Sequence, residues 1–112
     1  MRLKDEIASN IQNFMGSADL LFEKKDYTSS CILYFKALFL TFDYILLTTG
    51  KGVPKDHTDR FNKLKNSFLK FYIDLQKLYP IYRTTYTISV KRRKCEKVRD
   101  YVKGLVKEFK IN

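Results

Sequence analysis

From Cys31 to Leu47 the chain reads CILYFKALFLTFDYILL, and only Lys36, Thr41 and Asp43 interrupt its apolar character. No glycine or proline breaks the run, which predicts a helix. A surface helix carries one apolar stripe, but this one is apolar nearly all round and needs cover on more than one side. The pattern therefore predicts the central helix of a helical domain, wrapped by sister helices and completed by a second copy in a homodimer. Ser29, Lys36 and Asp43 recur at steps of seven and would share one face, a polar seam along a wet edge. A spanning helix needs about 20 mostly apolar residues almost free of charge. Here two charges interrupt a shorter run, so no membrane span is expected.

The flanking pattern predicts three more helices. Leu3, Ile7, Ile11, Phe14, Ala18 and Leu21 fall at steps of three and four, with Phe22 alongside, and predict a first helix over Leu3–Glu23. Gly16 is a weak spot in it, or a place for another helix to come close. The short turn at Glu23–Asp26 predicts antiparallel packing of the first two helices. Asp26 suits the N-cap of the central helix, predicted over Tyr27–Thr49, and Gly50 its end. Gly50–His57 reads as a loop; its GKG lacks the spacing of a phosphate-binding Walker loop. A third helix is predicted from Asp56 or Thr58 to Tyr79, with Phe61, Leu64, Phe68, Tyr72, Leu75 and Leu78 as its stripe and Pro80 as its stop. Arg60, Lys63, Lys70 and Lys77 would form its solvated or groove-lining face. Pro80–Ile88 reads as an ordered connector packed by Ile81, Tyr82, Tyr86 and Ile88. Ser89 then caps a last helix over Val90–Phe109. The expected fold is all-α: a four-helix up-and-down bundle with room for a short fifth helix, one domain over residues 1–112.

Composition adds little to that picture: 45% hydrophobic residues fill one core, and Tyr and Phe supply its bulk in the absence of Trp. The opening MRLKDEIASN is charged and lacks the apolar region of a signal peptide, so a cytoplasmic location is expected. Cys31 and Cys95 have no metal-ligand spacing and read as buried thiols, or as a disulfide in a hyperthermophile. With one His, no metal site and no cofactor are expected.

Charge changes the picture more. The net charge is +10, carried as −1 over residues 1–50, +4 over 51–79 and +7 over 80–112. That asymmetry points to nucleic acid, a nucleotide or an acidic protein as partner, or to a lysine-rich solvated surface. Lys91, Arg92, Arg93 and Lys94 fall in the first turn of the last helix, the unfavourable end of its dipole for cations. Free amides there already favour anions, so the run is a candidate phosphate or carboxylate site, with Arg83 and Tyr86 beside it. Tyr79, Tyr82 and Tyr86 could stack bases or simply wedge the connector. His57, with Arg60 nearby, is the weak candidate for acid–base catalysis, as general base or as structural neighbour of a helix start.

The stretch KDYTSSCILYFKALFLTFDYILLTTG, the loop bearing His57, the F-N-K-L at Phe61–Leu64 and the R-T-T-Y at Arg83–Tyr86 together resemble the HEPN domain family over about residues 5–109. The resemblance implies a four- or five-helix bundle that forms homodimers. Many members are encoded beside small nucleotidyltransferases, and many are toxins or ribonucleases of defence systems. The ribonucleases use an Arg-x(4–6)-His motif. No Arg precedes His57 at that distance, and Arg83 is followed by no His, so the catalytic pair has no counterpart here. What the resemblance implies is a non-catalytic binder of nucleotide, RNA or a nucleotidyltransferase partner, in a toxin–antitoxin or defence module. The alternatives are a metal-independent ribonuclease with an atypical site at His57, Arg60 or Arg83, and a protein-interaction adaptor.

Overall fold

The computed structural model describes residues 2–112. Among them five helices form and no strand: α1 (Leu3–Glu23), α2 (Tyr27–Thr48), α3 (His57–Ser67), α4 (Leu69–Thr84) and α5 (Arg92–Glu108). The fold is an all-α bundle.

α2 is its axis. The helix is long and apolar enough to cross a membrane, with a mean hydropathy of 1.6. Most of its surface, however, is covered by the other helices: Tyr34, Phe35, Leu38, Phe42 and Leu46 are fully buried. α1 runs antiparallel beside it and buries Ile7, Ile11, Met15, Ala18 and Phe22. The Ser30 hydroxyl donates to the Ala18 carbonyl at 2.8 Å, which fixes the two helices at close range. α5 lies on another side in the same sense as α2, since the Cys95 thiol meets the Ser30 hydroxyl and Tyr101 approaches Phe42. Cys31 and Cys95 are both buried free thiols.

α3 and α4 cover a third side. α3 sets out in the sense of α2: His57 faces Phe39, Arg60 binds Asp43, and the Lys63 ammonium donates to the Lys51 carbonyl. Directions therefore alternate along the chain except between α2 and α3, where the loop runs back along α2. α4 returns antiparallel, with Phe71 at Phe42 and Tyr82 at Phe35 and Phe39.

Several expected boundaries differ. The single third helix is two. Phe68 leaves the helical region (φ −142, ψ 69) and serves as both C-cap of α3 and N-cap of α4. Asn66 and Ser67 before it hold a helix weakly, because their side chains compete for the backbone. Pro80 does not stop α4, which continues to Thr84. Proline removes the bond that Gln76 would accept, but Gln76 and Pro80 are both exposed, so water reaches the freed carbonyl. Tyr79, Ile81 and Tyr82 hold that turn against the core. Most of the supposed connector is thus helix, and Tyr86 and Ile88, expected to wedge it, are exposed. α5 begins at Arg92 with Lys91 as an N-cap that makes no side-chain bond, not with Ser89 as cap. Val90 precedes it, buried, its N–H donating to the Thr28 hydroxyl at 2.8 Å, and that anchor delays the helix.

Candidate functional site

Of the polar seam expected on α2, Lys36 is exposed and Ser29 half-buried, but Asp43 leaves the wet edge. Asp43 is 4% exposed. Arg60, expected on a solvated face, turns inward to meet it, its Nε donating to Oδ1 at 2.8 Å and its Nη2 to Oδ2 at 3.0 Å. This two-pronged pairing suits a planar guanidinium and carboxylate. The guanidinium also lies over the Phe39 ring, 5.0 Å from its centroid. Leaving either charge alone in such a place would cost about 3–5 kcal/mol.

His57 completes the cluster. Asp56 caps α3 by accepting the Asp59 N–H, and this places His57 in the first turn, one turn before Arg60. The third Arg60 donor, Nη1, lies 2.7 Å from His57 Nδ1. Arginine can only donate, so Nδ1 holds the lone pair and the neutral ring carries its proton on Nε2. Burial pushes the His57 pKa below its ordinary value, and the neighbouring Arg60 charge pushes the same way. The ring is packed edge-on against Phe39, Tyr79 and Tyr82. His57 and Arg60 are therefore brought together, as a catalytic reading needs, but both are engaged. A neutral imidazole has one lone pair, and here it accepts from Arg60. What remains is one Nε2–H donor. Arg60, with its Nε and both Nη nitrogens bonded inward, is no anion ligand.

The other candidates gather on the surface at the α4–α5 turn. Arg83 lies in the last turn of α4, Tyr86 just beyond it, and Lys91, Arg92, Arg93 and Lys94 at the start of α5. All six are exposed, Tyr86 at 72%. Among the described residues Arg83, Lys91, Arg93 and Lys94 form no ion pair, while Arg92 reaches Glu96 at 3.6 Å and stacks on Phe22. A groove of about 300 Å³ runs between the turn and α5, with Ile81, Thr84 and Ile88 on its apolar side and Lys91 and Lys94 on the other. It offers a slot for a flat or apolar group next to positive charge.

The buried cluster and the basic end are linked through Tyr82. Its ring packs 5.9 Å from His57, and its hydroxyl accepts from Tyr86 at 2.9 Å. Burial pushes the Tyr82 pKa up to about 12, so it stays a neutral phenol. The partnership of Asp43 and Arg60, 17 residues apart on different helices, was the feature that residue spacing could not reveal. The only hint was that Asp43 and Lys36 broke an otherwise apolar helix. Compared with family models, with curated proteins and with solved structures, the chain matches none of them.

Proposed function

We propose that this chain is a non-catalytic, HEPN-like homodimeric protein that binds RNA or a nucleotide at the basic end formed by Arg83, Tyr86 and Lys91–Lys94. One observation carries the reading: five exposed cations stand at the α4–α5 turn, four of them without a carboxylate partner, two of them (Lys91 and Lys94) lining a largely apolar groove, with the exposed ring of Tyr86 in the same turn. Cations hold phosphates while rings and apolar slots take bases. The engaged lone pair of His57 weighs against the ribonuclease alternative. The reading extends to a nucleotidyltransferase as cytoplasmic protein partner within a toxin–antitoxin or defence module.

The test is binding of a short single-stranded RNA and of a nucleoside triphosphate, titrated at several salt concentrations. Affinity for RNA is expected to fall steeply with salt, as counterion release requires. Reversing Arg93 and Lys94 to Glu should remove most of it without altering the helical signal. RNA and nucleotide affinities untouched by that double reversal would refute the assignment.

A further inference from the structure

Ile88 is 66% exposed on the apolar side of the groove between the α4–α5 turn and α5. Its exposure does not come from a loose segment. The N–H groups of Thr85, Tyr86, Thr87 and Ile88 bond back to the carbonyls of Tyr82, Arg83 and Thr84, so the last turn of α4 sets the course of the chain there. The other wall is fixed by buried Val90, whose N–H donates to the Thr28 hydroxyl at 2.8 Å. The slot is therefore formed before any ligand arrives, and binding need not order it. Lys91 and Lys94 stand three residues apart on its edge, both exposed. Among the described residues neither has a carboxylate partner. Inside, Thr84 gives its hydroxyl hydrogen to the Pro80 carbonyl at 2.8 Å, and Ser89 carries the other hydroxyl of the lining.

We propose that this slot admits one unpaired base, so that the basic end takes single-stranded RNA and rejects the duplex. The inference rests on the RNA reading of that end and narrows it. In a duplex the bases are stacked and paired inside, and the A-form surface offers phosphates, ribose hydroxyls and base edges. Those groups would meet Lys91 and Lys94 but gain nothing from Ile81 and Ile88. An unpaired base can lay its face against the isoleucines while the phosphates on either side of it meet the two lysines. A volume of about 300 Å³ stands at the lower end of small-ligand sites and suits one base, not a stack of several. Ser89 holds the one side-chain hydroxyl hydrogen of the lining that is still free, so the slot has little with which to read a base edge. It is tolerant of sequence and strict about pairing.

The experiment uses the full chain and RNA of about 10 nucleotides, as two unrelated single strands and as the blunt duplex of each with its complement. Each single strand is expected to bind at least about tenfold more tightly than its duplex, and the two strands to agree within about threefold. Ile88→Ser removes the apolar wall without adding charge, at an exposed position on which folding does not depend. It should lower single-strand affinity about tenfold and leave duplex affinity where it was. Lys91→Gln with Lys94→Gln should instead weaken both forms and flatten the salt dependence. The proposal is overturned if a duplex binds as tightly as its single strand, or if Ile88→Ser weakens both forms alike or neither. Loss of RNA binding on reversing Arg93 and Lys94 would then leave the reading of the basic end standing without it. If neither form of RNA binds wild type, that reading falls and the proposal falls with it.

Discussion

The lone pair of His57 is committed to Arg60, and the same bond makes the residue a reporter of the α2–α3 junction. Protonation would set an Nδ1–H against a guanidinium N–H, in a half-buried place beside Asp43, Asp56 and Lys36. The folded-state pKa lies below the ordinary 6.5, so near and below that pH the unfolded chain takes up the proton more readily. The His57 contribution to stability is then complete above about pH 6.5 and is lost progressively as pH falls below it. His57→Asn places an amide oxygen near Nδ1 and has no proton to gain. Melting curves from pH 8 to pH 5 should show wild type losing stability relative to this variant below about pH 6.5. Parallel profiles would show that the ring does not accept from Arg60. Asp43 and Arg60 themselves were illegible as a pair, because each was read on its own helix, where a charge is normally solvated.

At the scale of elements, α1, α2 and α5 end in the same way. In α2 the Gly50 N–H donates to Leu47 and the Lys51 N–H to Leu46, with Gly50 at φ 80. This is the glycine ending that the sequence announced. α1 and α5 repeat the bonds with lysines in the left-handed position: Lys25 at φ 65, with Asp26 bonded back to Leu21, and Lys110 at φ 53, with Ile111 bonded back to Val106. A side chain there costs about 1 kcal/mol that glycine does not. Lys25→Gly should therefore stabilise the chain by about 0.5–1 kcal/mol, read as a shift of the urea midpoint at unchanged slope. A loss of stability instead would mean that the Lys25 side chain makes contacts worth more than the strain. The extents of α1 and α2 were legible to within a residue, since strong periodicity, a capping Asp26 and Gly50 agree. The break at Phe68 and the passage through Pro80 were not. At Phe68 the continuous apolar stripe masked the weak helix formers Asn66 and Ser67, and at Pro80 local propensity pointed the other way while the packing of Tyr79, Ile81 and Tyr82 on the core decided it.

Across the whole molecule, the basic end gathers exposed positive charge at the α4–α5 turn, and α2 keeps one side unfinished. Leu33, Leu40, Tyr44 and Leu47 are only half-buried and recur at steps of seven, four and three, so they form one stripe. This stripe is where a second copy would complete the cover that the apolar pattern asks for. Leu40→Glu should then yield a monomer by light scattering and abolish any dependence of melting temperature on protein concentration. A wild type that is already monomeric at working concentrations would remove the dimer from the proposed function. The wrapping of α2 also has a consequence in time. Its apolar faces are closed by α5, which the ribosome delivers more than 40 residues after the end of α2. At roughly 5–20 residues per second, the greasy side of a half-made chain stands open for several seconds. A newborn copy therefore has every reason to enlist a chaperone before its last helix arrives.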